Sequence, residues 1–242
     1  HRTAASRMPL ADGAFIAIRA ASGSESVSRI LQPETSIPFE DAGVNPAYSR
    51  PGEFTWYGLY PTSNFKLTTP DFPVETQWSC LAPVIPYDTE ASTLPLVLCA
   101  MQFTNKTNEM QSVSALFNWE NLRGCSATAS PEDRGRIAPV SFDEVDEKLV
   151  PGNTPPNFEG APPPPIGLSF ALSEPCTQNA HGNYCLATPG DSGARITLQS
   201  WDKNDPEEVR TFWKSFSEFG GLTDRFSNRP TAHCGSVCAA FH

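Results

Sequence analysis

Short apolar runs separated by turn-forming residues are the feature that most limits how this chain can fold. In the first of them, Phe15, Ala17 and Arg19 alternate with Ile16 and Ile18. Such alternation is typical of antiparallel strands with one packed face and one wetter face. The chain also has 24 Pro and 16 Gly in 242 residues, which favours turns over long helices. We therefore predict an all-β fold, a large antiparallel β-sandwich, with strands at residues 13–20, 27–32, 54–60, 74–80, 94–104, 111–118, 166–172, 183–187, 195–201 and 234–241.

One segment has the pattern of a helix instead. Asp205 is a good N-cap, Pro206 suits the first helical position, and Glu208 stands three residues after the cap. Apolar residues follow at helical spacing, namely Val209, Phe212, Trp213, Phe216 and Phe219. We predict one short amphipathic helix that ends at Gly220-Gly221 and packs its apolar face on a sheet.

Residues 126–165 are rich in proline and acidic residues and poor in apolar ones. Because apolar runs resume at Ile166, we predict a flexible insertion at 126–165 within a single β-sandwich domain that spans residues 1–242. Turns are predicted at 51–52, 61–64, 105–109 and 189–193, the last two as hairpin loops.

The charge pattern limits the possible partners. Lys and Arg number 17 against 27 Asp and Glu, a formal net charge of −10, so nucleic-acid binding is not expected. No apolar run approaches the roughly 20 residues of a transmembrane helix, so no transmembrane segment is predicted. The chain starts at His1 and stops directly after an apolar run, and we interpret it as a fragment of a longer protein.

The seven cysteines are an odd number without the spacing of a disulfide scaffold, which favours a reducing compartment, the cytoplasm. Cys80 and Cys99 fall in apolar runs and are expected to be buried free thiols. The candidate metal ligands are Cys176, His181, Cys185, His233, Cys234 and Cys238. They lack the Cys-x-x-Cys spacing of a zinc knuckle, so neither a metal nor a cofactor is predicted. A Cys176–Cys185 disulfide and a Cys234–Cys238 pair stay open.

Four carboxylates are candidates for the catalytic groups of a glycosidase, although none has a convincing context: Glu75, Asp88, Glu90 and Glu120. Asp88 and Glu90 lie in a polar loop and are expected to cap or turn the chain. Trp119, Glu120 and Asn121 place an aromatic ring next to a carboxylate and an amide, a combination that suits a sugar ring, although a strand-end Trp often packs in a core instead. The residues alone thus indicate an acidic β-sandwich without a complete active site.

Several stretches together resemble the family 116 glycoside hydrolases. They are Gly13–Arg19, Val84–Val97, Phe103–Asn105, Phe117–Asn121, Ser200–Asp202, and Phe212-Trp213 with Phe216-Ser217. That family includes bacterial β-glucosidases and the non-lysosomal glucosylceramidase. The resemblance implies the N-terminal β-sandwich domain of such an enzyme.

The resemblance also implies that the catalytic carboxylates lie in a following (α/α)6 domain, so no catalytic residue is assigned to this chain. That domain would be the partner of this one and would hydrolyse β-glucosides or glucosylceramide with retention, in carbohydrate or sphingolipid metabolism. Trp119, Glu120 and Asn121 would face it or the substrate. Two alternatives stay open: a stand-alone carbohydrate-binding sandwich, and a structural domain with an apolar face that another domain covers.

Overall fold

The structure is a computed structural model that describes residues 13–32, 37, 39–50, 53–68, 71–121, 137–141, 165–170, 184–190, 192–226 and 234–241. Its strands are β1 (Phe15–Ser22), β2 (Glu25–Ile30), β3 (Phe54–Leu59), β4 (Thr62–Leu67), β5 (Val74–Leu81), β6 (Leu98–Asn105), β7 (Ser112–Glu120), β8 (Ile137–Ser141), β9 (Ile166–Phe170), β10 (Tyr184–Thr188), β11 (Arg195–Trp201) and β12 (Cys234–Phe241). The helices are α1 (Thr89–Ser92) and α2 (Pro206–Phe219). Each predicted strand overlaps an observed one, and the all-β sandwich is confirmed. Neither helix of this described part is long and apolar enough to cross a bilayer.

The strands form three antiparallel sheets. The five-stranded sheet has the order β11-β12-β7-β1-β2, the four-stranded sheet β3-β4-β5-β6, and the three-stranded sheet β10-β9-β8. Consecutive strands β6 and β7 belong to different sheets, and so do β10 and β11. The loops at 105–109 and 189–193 therefore connect one sheet to another, and their prediction as hairpin loops is wrong.

The five-stranded sheet is covered on both faces. On one face, Phe15, Leu116 and Trp201 pack against helix α2 and the segment around Phe39. On the other, Ile18 and Val113 share a second cluster with residues of the four-stranded sheet. Both faces of strand β1 are therefore packed. The expectation that one of its faces would be more polar is wrong, because α2 covers one face and the four-stranded sheet covers the other.

The far end of the same sheet is covered by the three-stranded sheet. Leu198 and Val237 pack there with Leu168 and Phe170. A side chain at Gly235 would collide with the Phe170 ring, since an added Cβ would lie 2.8 Å from it. The close approach of β9 to β12 thus depends on that glycine.

Helix α2 begins and ends as predicted. The Asp205 carboxylate accepts hydrogen bonds from the main-chain N–H of Glu207 and Glu208, and Gly220 ends the helix in the left-handed conformation with φ 68°. Four of the predicted apolar residues are buried: Val209, Phe212, Trp213 and Phe216. Phe219 is exposed, contrary to prediction. In the same turn Arg19 donates to the carbonyls of Ser217 and Glu218, at 2.9 and 2.8 Å, so polar contacts hold the end of the helix.

Three elements were not predicted. Strand β4 begins at Thr62, directly opposite Leu59, so the turn is limited to Tyr60-Pro61 and residues 62–64 are not part of it. Strand β8 lies within the 126–165 stretch and pairs with β9; apart from it and Pro165, that stretch lies outside the described residues. Helix α1 is a single turn in the polar loop after β5.

Candidate functional site

The three predicted site residues at the end of β7 do not share one surface. Trp119 is 42% exposed, whereas Glu120 and Asn121 are buried. Successive side chains of a strand point to opposite faces of the sheet, so Trp119 and Glu120 lie on opposite faces. The aromatic ring and the carboxylate are therefore not placed side by side for a sugar ring.

Glu120 is held inside the domain by a cation. Its Oε1 lies 2.9 Å from Nζ of Lys203, and the side chains of Glu120 and Lys203 are only 4% and 12% exposed. Its strand neighbour on β12 is Cys234, and Gly13 packs closely against both. The ion pair joins the end of β7 to the connection between β11 and α2.

A buried chain of hydrogen bonds lies beside that ion pair. The indole N–H of Trp201 donates to Ser236 Oγ at 2.9 Å, and the Ser236 hydroxyl donates to Asn118 Oδ1 at 2.6 Å. The Asn118 amide donates to the carbonyl of Gly13, and the Trp201 ring stacks on Phe212 at 4.1 Å. These hydrogen bonds join strands β7, β11 and β12, so the role of the polar groups is structural.

The other candidate carboxylates, Glu75, Asp88 and Glu90, make contacts within their own segments or with a neighbouring strand. Glu75 Oε1 lies 2.9 Å from Lys66 Nζ, and the hydrogen bonds from Lys66 and Gln77 hold its pKa below the ordinary value. The Asp88 carboxylate accepts from Ala91 N at 2.9 Å and caps α1, as predicted, while Glu90 stands exposed in the first turn of that helix.

The candidate metal ligands divide between described and undescribed residues. Cys176, His181 and His233 lie outside the described residues, and among the described ones no group of three or more His, Cys, Asp or Glu is placed to hold a metal. Cys234 and Cys238 are four positions apart on one strand, about 13 Å, which is too far for a disulfide. Burial raises the pKa of each thiol to about 12.

Cys80 and Cys99 differ from the expectation of burial. Cys80 is half-buried and Cys99 is exposed. They are directly opposite each other on β5 and β6, and their sulfurs are 3.2 Å apart. Sequence reading missed this pair because strand register cannot be inferred from either run alone.

A large group of apolar side chains is exposed at the end of the four-stranded sheet where these two thiols lie. Leu59, Leu81 and Leu98 stand in one cross-strand row, and the β5–β6 connection leaves and returns at the same end. We call this surface the apolar tip; its exposed members are Leu59, Tyr60, Leu81, Val84, Ile85, Tyr87, Leu94, Leu96, Val97 and Leu98.

The connection that supplies most of the apolar tip is held by internal hydrogen bonds. Ser92 Oγ accepts from the main-chain N of Ile85 at 2.8 Å and donates to its carbonyl at 3.0 Å, while Asp88 caps the helical turn between them. Polar side chains thus stabilise the loop internally while apolar ones face water. This is the reverse of an ordinary surface loop, and large exposed apolar patches mark interaction sites.

The arrangement defines a class: a β-sandwich in which Glu75 and Glu120 form ion pairs, Asp88 caps a helix, and a large apolar surface is exposed. Comparison with protein families identifies it further. Residues 3–242 match the family described as beta-glucosidase 2, glycosyl-hydrolase family 116 N-term, and the chain belongs to that family. The predicted family is confirmed. A search of curated proteins finds no match.

Proposed function

We propose that this domain is the non-catalytic sandwich of a retaining glycosidase that hydrolyses β-glucosides or glucosylceramide, and that its apolar tip packs against the catalytic (α/α)6 domain of the same protein. The observation that carries the proposal is the apolar tip itself, taken with the N-terminal position in the family description. A retaining glycosidase needs two carboxyl groups about 5–5.5 Å apart. Glu75 and Glu120 are paired with lysines, Asp88 caps a helix and Glu90 stands exposed in the first turn of that helix, which supports placing the catalytic pair in the partner domain.

The domain's location is proposed to be the cytoplasm. The supporting observation is that the seven cysteines are an odd number without the spacing of a disulfide scaffold.

The docking proposal is tested by charged substitutions at the apolar tip. Leu96→Asp and Tyr87→Asp are made in the sandwich, which is then mixed with the separately expressed catalytic domain. Each should weaken association at least about tenfold, since a buried Leu or aromatic side chain contributes roughly 1.5–3 kcal/mol and the carboxylate must be desolvated. Hydrolysis of an aryl β-glucoside by the joined domains reports whether docking matters for activity.

Met110→Asp is the matched control. Met110 is also strongly exposed, but it follows β6 at the end opposite the apolar tip, so its substitution should leave association unchanged. If Met110→Asp weakened association as much as Leu96→Asp and Tyr87→Asp do, docking at the apolar tip would be contradicted. Hydrolysis of an aryl β-glucoside by the isolated sandwich would contradict the assignment of catalysis to another domain.

A carbohydrate-binding sandwich is the second candidate, and the exposure of Trp119 is the observation that favours it. Calorimetric titration of the isolated chain with glucosides tests it. Binding that disappears in Trp119→Ala would support this function, whereas heats equal to those of buffer for all sugars would exclude it.

A further inference from the structure

We propose that Cys80 and Cys99 form a thiol–disulfide exchange site whose co-reactant is a small-molecule disulfide such as glutathione disulfide. The site goes beyond the glycosidase function and does not depend on it. Its products are a cross-strand disulfide between β5 and β6 and two molecules of the reduced small thiol.

The backbone geometry meets the requirement for a disulfide. Residues directly opposite each other on antiparallel strands have Cα atoms about 4.5–5.5 Å apart, within the range of roughly 4.4–6.8 Å that disulfides span. Cys80 and Cys99 are such a pair, and their side chains already meet at 3.2 Å between sulfurs. Forming a bond of about 2.05 Å therefore needs a movement of roughly an ångström.

The surroundings of the pair admit a reagent. The cross-strand row that contains it consists of small residues, Gly58, Ser63, Cys80 and Cys99. Cys80 packs at the margin of the core cluster around Trp78, whereas Cys99 is exposed. The pair thus joins an exposed residue, Cys99, to a partly buried one, Cys80.

The other described cysteines differ from this pair. Cys234 and Cys238 are buried, and Cys185 is exposed on β10, a strand of another sheet. Desolvation of its sulfur and the hydrogen bond with Cys80 raise the pKa of the Cys99 thiol to about 12, which keeps that sulfur protonated at neutral pH. Exchange proceeds through a thiolate, so the site should react slowly at neutral pH.

The reaction balances in two displacements. The thiolate of one cysteine attacks a sulfur of the small disulfide, whose S–S bond breaks, so that a mixed disulfide forms and one small thiolate leaves. The second cysteine then attacks the mixed disulfide, forms the Cys80–Cys99 bond and releases the second small thiolate. The two protons lost by the cysteines are taken up by the two leaving thiolates, and the small disulfide is the two-electron oxidant.

The test is peptide mapping of the whole chain after incubation with glutathione disulfide under native conditions. Lys66 and Lys106 enclose a stretch without another Lys or Arg, so trypsin leaves both cysteines on one peptide, and cleavage after Glu90 is needed to separate them. We expect the two fragments to remain joined until a reductant is added. Recovery of separate fragments, each carrying a glutathionyl group or none, would overturn the proposal.

Two variants make the result specific. Cys80→Ser should leave a stable glutathionyl group on Cys99, the exposed position, because the resolving sulfur is missing. Cys185→Ser should leave the Cys80–Cys99 linkage unchanged.

In concentrated urea the linked fraction of the wild-type chain should fall in favour of glutathionyl adducts, and an unchanged fraction would show that the fold does not bring the sulfurs together.

Discussion

The Glu120–Lys203 ion pair permits a decisive test of whether Glu120 has a structural role. We predict that Glu120→Gln destabilises the domain strongly, because the amide cannot compensate the Lys203 ammonium that lies 2.9 Å away. The reciprocal change, Lys203→Met, leaves the Glu120 carboxylate without its cation. Both substitutions keep the approximate size of the side chain, so packing is disturbed little.

The expected magnitude follows from burial. The Lys203 and Glu120 side chains are only 12% and 4% exposed. Removing one partner of a buried pair typically costs 3–5 kcal/mol. Since Lys203 retains some access to water, we expect about 3 kcal/mol for Glu120→Gln and about 4 kcal/mol for Lys203→Met. The double variant should lie within about 1 kcal/mol of the wild type, because it leaves no buried charge.

The assay is urea unfolding followed by tryptophan fluorescence, for which the buried Trp201 and Trp213 are the reporters. Glu75→Gln is the control, since Glu75 meets Lys66 at the same 2.9 Å but both side chains are much more exposed. That change should shift the midpoint little. A loss below about 1 kcal/mol for Glu120→Gln, or a double variant as unstable as the singles, would refute the argument from burial.

Three further substitutions test the fold by the same unfolding assay. Asp205→Ala removes the N-cap of α2 and should cost about 1 kcal/mol, whereas Asp205→Asn should cost less. Arg19→Met removes two hydrogen bonds to main-chain carbonyls in the last turn of α2 and should cost about 2 kcal/mol, and an unchanged midpoint would contradict the role of that contact. The lowered pKa of Glu75 means that the native state binds fewer protons there than the unfolded state, so its contribution is present above the unfolded value near pH 4.3 and is lost as the pH falls below it. The wild type should therefore lose more stability than Glu75→Gln between roughly pH 5 and pH 3, and parallel curves would contradict this.

The elements with a strong local pattern could be predicted from the sequence. Strands β11 and β12 are found at the predicted residues, and α2 has the predicted cap and glycine stop. Strand β4 was missed because its polar residues 62–64 follow a proline and resemble a turn, while its place in the sheet comes from pairing with β3 and β5.

The candidate site could be predicted less well, because it depends on contacts between distant segments. The Phe117–Asn121 run suggests an aromatic ring beside a carboxylate, yet strand alternation separates Trp119 from Glu120. The sequence near Glu120 gives no indication of Lys203, which approaches from the β11–α2 connection. The Cys80–Cys99 contact likewise requires the β5–β6 register.

The distribution of buried and exposed residues limits which surfaces of this domain can contact a ligand or a partner. In the described part of the chain, the central strands of the five-stranded sheet are covered by α2 on one side and by the other two sheets on the opposite side, apart from side chains exposed at strand ends such as Trp119. The Val84–Val97 segment has the opposite character, because Ile85, Leu94 and Leu96 contribute to none of the described core clusters and remain exposed. Burial in the core of this domain does not account for these apolar side chains. Since that segment also carries part of the resemblance to family 116, contact with a partner domain is the physical reason we propose for its composition.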